Sequence, residues 1–208
     1  MTAINTLVSA DSTTAWLLTD SAGVQRDTGV FLWHVAKVMT LPHASAAIAA
    51  RGSDAEVAWA KESVAKYRSI DHLVELAPGE LRRDYPGVCA RIGKHKAGVE
   101  IVVVGWSEKQ QRMRALFTRD RNLPTPFDFH PARMIFCPEM AGVKDFDSPA
   151  DPTAWLLKVM NEQRAGTKNE NSYFTIGGRA VLTTVTNETI TQRVIHVWPD
   201  TLRDVIKP

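Results

Sequence analysis

Apolar and polar residues alternate over roughly the first fifty positions in the manner of strands broken by turns. Residues 2–21, TAINTLVS-ADST-TAWLLTDS, read as one hairpin, and residues 34–50, HVAKVMTL-PH-ASAAIAA, as a second. Asp11 and Ser12 are good turn formers. A turn centred on them places Ala3 opposite Asp20 and Thr2 opposite Ser21, whereas a slip of one residue would break that alignment. Val30–Trp33 reads as a short extended piece between the hairpins. The small residues of ASAAIAA suit a central strand covered closely on both faces.

Helical spacing begins after the turn ARGSD. Ser53 and Glu56 form a capping box, and Val57, Ala60, Val64 and Tyr67 follow on one face, predicting a helix to about Arg68. A second helical region starts at Asp71, is interrupted at Pro78-Gly79 and ends near Asp84-Tyr85-Pro86. Two strand-like runs, VEIVVVGW and MRALFTR, are joined by the polar residues Ser107–Arg112 and predict a hairpin. Prolines 124, 126, 131, 138 and 149 crowd the stretch from Asn122 to Asp151, where the run MIF is the one strand expected. Asp151 as N-cap and Pro152 in the first turn start a last helix, TAWLLKVMNEQRA, which Gly166 ends. SYFTI-GG-RAVLTTVT and TITQRVIHVW are the final hairpin partners, the second alternating polar and apolar residues as a strand with one wet face does.

Strands, two helices, strands, one helix and strands imply an α+β fold. Each element must bury one apolar face, which suggests four layers: helix, two mainly antiparallel sheets, and helix. The 208 residues suit a single domain spanning 1–208. With 44% hydrophobic and 23% charged residues the chain has the profile of a globular protein. A formal charge of +2 argues against nucleic acid or an acidic membrane as partner. No stretch approaches the roughly 18 apolar residues of a membrane span, and the beginning lacks the layout of a signal peptide, so a cytoplasmic location is expected. Cys89 and Cys137 lack metal-ligand spacing and read as reduced, buried small residues.

Three polar side chains in the first two hairpins suggest chemistry: Thr2, Asp20 and Lys37. A threonine hydroxyl is a poor nucleophile, but a free α-amine, with a pKa of about 7.7–8.0, can act as its base. A neighbouring lysine would lower that pKa by like-charge repulsion and orient the hydroxyl, and the aspartate would hold the lysine. Thr2 leads the chain only when Met1 is removed.

LLTDSAG, followed by Lys37 in HVAKVMTLPHASAAIAARGSD, resembles the N-terminal part of proteasome β-type subunits and their bacterial ring-protease relatives, the N-terminal nucleophile (Ntn) hydrolases. By that likeness the fold is an αββα sandwich and Thr2 is the nucleophile. Asp20 and Lys37 support it, and a backbone N–H at Arg51 or Gly52 forms the oxyanion hole. The resemblance covers about the first quarter of the chain in its motifs and the remainder in the order of its elements. It implies a peptide or small amide substrate, no cofactor or metal, and a homo-oligomer, with a ring as the family's form. The chain departs from the family where ARMIFCPEM stands in place of a Gly/Ser-rich turn bearing a further catalytic Ser. QRAGTKNENSYF supplies no clear equivalent of the family's Asp and Ser after the last long helix.

The remaining polar residues have plainer readings. The six histidines are scattered, and His34 and His43 on either side of Lys37 read as core-edge or surface residues. Asp145, Asp147 and Asp151 lack the glycine and the closing glutamate of a calcium loop. Arg112, Arg114, Arg119 and Arg121 read as the exposed side of a hairpin, and Trp59, Trp106 and Trp155 as core or subunit-contact anchors. Two functions follow: a threonine-nucleophile hydrolase, or the same fold kept as a catalytically silent, self-assembling scaffold. A ligand-binding α+β domain without hydrolase ancestry is a third.

Overall fold

The computed structural model describes residues 2–25, 27–93, 98–139, 149–166, 168 and 173–207. The first hairpin is built as its turn residues dictate. Strand β1 (Ile4–Val8) pairs antiparallel with β2 (Ala15–Asp20), Ile4 opposite Thr19 and Val8 opposite Ala15. The Asp11 carboxylate accepts the Thr13 N–H at 3.1 Å and the Ser9 hydroxyl at 2.6 Å, and Ser12 takes a positive φ of 58°. Those bonds hold the Asp11 carboxyl below its usual range and fix the register that sets Ala3 level with Asp20.

Two short strands follow, β3 (Ala22–Val24) and β4 (Phe31–His34), which pair with each other. The second predicted hairpin is β5 (Val38–Leu41) and β6 (Ala46–Arg51), turned by a single 3-10 turn at Pro42–Ala44. Ser53 caps helix α1 (Asp54–Ala65) with both bonds of the capping box present. Helix α2 (Ile70–Ile92), the hairpin β7 (Glu100–Ser107) and β8 (Arg112–Arg119), and two short strands, β9 (His130–Ala132) and β10 (Met134–Cys137), come next. Asp151 Oδ1 accepts the N–H groups of Thr153 and Ala154 at the start of α3 (Pro152–Gly166). The chain closes with β11 (Arg179–Val185) and β12 (Ile190–Val197).

The fold is α+β, and every strand pair among the described residues is antiparallel. One sheet runs β10-β1-β2-β11-β12, a second β5-β6-β7-β8-β9, and β3-β4 stands apart. Alternate side chains of the two large sheets share one core: Ile4, Ala15 and Leu17 from the first meet Ala47, Ala49, Val102 and Val104 from the second. The other face of the second sheet, through Ile48, Ile101 and Val103, is covered by α1 and α2. Leu7, Leu18 and Leu182 on the other face of the first sheet meet Leu156 and Met160 of α3. The alanines of β6 are buried on both faces, as their small size suggested. Among the described residues no helix is long and apolar enough to cross a membrane.

Helix α2 corrects the sequence reading most. It runs unbroken for 23 residues through Pro78 and Pro86, where a break and an end were expected. Each internal proline costs roughly 3 kcal/mol. The stripe Ile70, Leu73, Ala77, Leu81, Tyr85 and Val88 continues across both prolines and is buried, which outweighs that cost. Helix α1, in contrast, ends at Ala65, short of Arg68. Of SYFTI, residues 173–176 form only an isolated bridge from Phe174 to Lys168, and Gly177-Gly178 lead into β11 without closing a hairpin.

Arg112 is exposed, but Arg114, Arg119 and Arg121 are half-buried, with Arg119 paired to Glu139 and Arg121 to Asp120. Cys137 is buried, which pushes its thiol up to about 12, and Cys89 is half-buried. Trp59 packs on Tyr85 and Phe127, and Trp155 on Phe136. Met1, Asp145 and Asp147 lie outside the described residues.

Pro86 is exposed, so Pro86→Ala removes a helix penalty and no packing; equilibrium denaturation should show a gain of up to about 3 kcal/mol. Leu81→Ala in the buried stripe should cost about 2–5 kcal/mol. A loss from the first substitution, or no loss from the second, would contradict this explanation of the helix.

Candidate functional site

Strand β2 ends on Asp20, whose carboxylate is fully buried. A buried carboxylate needs donors, and five contacts supply them. Lys37 Nζ donates to both oxygens at 2.8 Å. The Ala3 N–H donates to Oδ1 at 2.9 Å, and the N–H groups of Ala22 and Gly177 donate to Oδ2 at 3.2 and 3.3 Å. The register of the first hairpin brings Ala3 there, so Thr2, half-buried, is joined through one peptide bond to a residue that Asp20 holds.

Lys37 arrives from the other large sheet. It immediately precedes β5, and its side chain is 7% exposed. Burial pushes its ammonium below the usual lysine range, against the opposing pull of the Asp20 carboxylate. Val38 is opposite Ala49, and one further residue of that register sets Lys37 beside Ala50, just before Arg51. Arg51 and Gly52 therefore stand at the Lys37 end of the sheet. The Arg51 guanidinium is paired with Glu100 at 3.0 Å, and Glu100 is also its partner across the β6–β7 ladder. A Cβ on Gly52 would lie 3.2 Å from Gly98 O and 3.1 Å from Glu56 Oε2, so the backbone here is closely approached from two sides. Lys61 of α1 reaches the Ala36 carbonyl at 3.4 Å, and burial, then the charge of Lys37, lowers its amine as well.

The structure thus joins Asp20 and Lys37 and brings the backbone beside Thr2 to the same carboxylate. It sets Arg51 and Gly52 at the neighbouring strand end. His43, read as a core-edge or surface residue, contacts the Tyr67 carbonyl at 3.2 Å.

Two features escaped the sequence reading. Ser21 Oγ lies 2.8 Å from His34 Nδ1 and accepts the Arg179 N–H at 2.9 Å. The pairing of Ala22 with His34 in the β3–β4 hairpin creates this contact. The sequence marked Val30–Trp33 as a short extended piece but gave no partner for it. The second feature is a buried pair, Arg164 of α3 with Asp200, whose Oδ2 also accepts the Gly178 N–H at 2.8 Å. Gly177 and Gly178 are therefore pinned by two buried carboxylates, Asp20 and Asp200. Gly178 has a φ of +73°, and a Cβ on Gly177 would lie 2.4 Å from Asp200 Oδ2, so both positions require glycine.

Among the described residues no group of three or more His, Cys, Asp or Glu side chains is gathered as metal ligands. No model of a known protein family matches the chain. A search of curated proteins likewise finds no match.

Removing one partner of a buried ion pair leaves the other charge uncompensated, at about 3–5 kcal/mol. Asp20→Asn also turns an amide toward donors that need an acceptor, whereas Asp20 in Lys37→Met keeps three N–H partners. Urea unfolding at neutral pH should rank Asp20→Asn as the more damaging; the reverse order would show that the lysine, not the carboxylate, is the hub.

Proposed function

We propose that the chain is a threonine-nucleophile amide hydrolase with the four-layer αββα architecture of the Ntn hydrolases, most simply a peptidase. The observation that carries this reading is the Asp20 carboxylate, which receives both Lys37 Nζ and the Ala3 N–H, so that acid, amine and chain start meet. The core clusters support the layering, since helices cover the outer faces of two stacked sheets.

With Met1 removed, the Thr2 α-amine takes the hydroxyl proton as the hydroxyl oxygen adds to the substrate's carbonyl carbon. Of the two candidates, Arg51 and Gly52, the backbone N–H of Gly52 stabilises the oxyanion, since Arg51 is paired with Glu100 in the β6–β7 ladder. The intermediate expels the amine, which leaves with that proton, and water then hydrolyses the acyl-threonine ester. Lys37, with its depressed amine, places a positive charge at the nucleophile, and Asp20 keeps it there. The competing reading is a silent scaffold of the same fold. The pair that ties the two sheets together would serve there too, and the departures at ARMIFCPEM and QRAGTKNENSYF favour it.

Intact mass separates the two. The hydrolase should lack Met1 and gain one adduct on Thr2 from an N-terminal-threonine-directed epoxyketone. Retained Met1 with no adduct would leave the scaffold reading.

We also infer a homo-oligomer, with a ring as the form the resemblance implies. Val194 and Val197 on the edge strand β12 are 48% and 61% exposed, which suits contact with a second copy. Sedimentation velocity should show an assembly; a monomer at micromolar concentration would contradict it.

A further inference from the structure

Ser21 and His34 lie beside the Asp20–Lys37 pair and have no role in the mechanism above. Ser21 is the chain neighbour of Asp20, and all its polar groups are engaged. Its N–H donates to Gly177 O at 3.2 Å, and its carbonyl accepts the Val35 N–H at 2.8 Å. Its hydroxyl oxygen accepts the Arg179 N–H and lies 2.8 Å from His34 Nδ1. In the neutral ring with its proton on Nε2, the hydroxyl donates its hydrogen to Nδ1.

One serine therefore ties three segments: the end of β2, the glycine turn before β11, and residues 34–35, which lead within two residues to Lys37. We propose that His34 is a positioning residue for the hydrolase site, acting through Ser21 to hold the segment that delivers Lys37 to Asp20. This rests on the Thr2–Asp20–Lys37 reading and adds the part that fixes the lysine.

The surroundings suit the role. The His34 ring stands edge-on to Phe31 with centroids 5.0 Å apart, which sets its plane. A Cβ on Gly178 would lie 2.9 Å from Ser21 Oγ and 3.1 Å from His34 Nδ1, so glycine keeps the pair intact. Desolvation, then the charge of Arg179, lowers the imidazole below its usual value and favours the neutral form that can accept the proton. Protonation reverses the bond. Nδ1 becomes a donor, and Ser21, only 4% exposed, must turn its hydroxyl hydrogen away from its acceptor.

The test is NMR on the full chain, combined with the rate of epoxyketone capture at Thr2. At pH 8 the ring nitrogens should report the Nε2–H tautomer, and the Lys37 amide should titrate with the His34 midpoint. Ser21→Ala and His34→Phe should slow capture by about tenfold to hundredfold. His34→Asn, whose carbonyl can take the same proton, should stay within about threefold of the parent and lose the pH step at that midpoint. An Nδ1–H tautomer, a Lys37 amide indifferent to His34, or folded Ser21→Ala and His34→Phe proteins captured at the parental rate would each overturn the inference. If the parent is not captured at all, the hydrolase reading fails, and the response of the Lys37 amide alone decides whether the tie exists.

Discussion

A charge pair buried between two sheets is costly unless its geometry is nearly complete, and the pair of Asp20 and Lys37 meets that condition. Taking either ion out of water costs several kcal/mol. The return comes from two Lys37 contacts and three backbone N–H groups on one carboxylate. Those donors come from the residue before β1, the start of β3, the approach to β5, and the glycine turn before β11. The two sheets, the chain start and the last hairpin are thus fixed to one another at a single point. An apolar pair of similar volume would hold sheets together as well. What the ionic pair adds is a positioned charge with a lysine amine below its normal range.

Shape and chemistry are linked by register. The Asp11 turn sets β1 against β2, and that register alone determines that Ala3, and hence Thr2, reaches Asp20. The hairpin of β5 and β6 sets Lys37 level with the approach to Gly52 in the same way. A slip of one residue in either hairpin would turn the side chain to the opposite face and dissolve the pair.

Features governed by neighbours in sequence were legible beforehand. The Ser53 capping box, the Asp151-Pro152 start of α3 and the Asp11 turn each involve residues within a few positions of one another, where local hydrogen bonds decide. Helix α2 was not legible, because the penalties of Pro78 and Pro86 are local while the burial that outweighs them comes from sheet and helix neighbours distant in sequence. The Ser21–His34 contact required the register of β3 against β4, which no strong turn signal declares. Asp200 and Arg164 are joined only by tertiary folding. Of the proposed site, hairpin arithmetic set Ala3 opposite Asp20 and the family resemblance joined Lys37 to them, but the donors completing the carboxylate, Ala22 and Gly177, were not readable.

The most direct measurement is a high-resolution crystal structure of the chain with Met1 removed. If the buried pair serves a nucleophile, Thr2 Oγ should lie within hydrogen-bond reach of Lys37 Nζ, at about 3 Å. A Thr2 hydroxyl pointing away from Lys37, with the lysine saturated by Asp20 alone, would reduce the pair to a strut between two sheets.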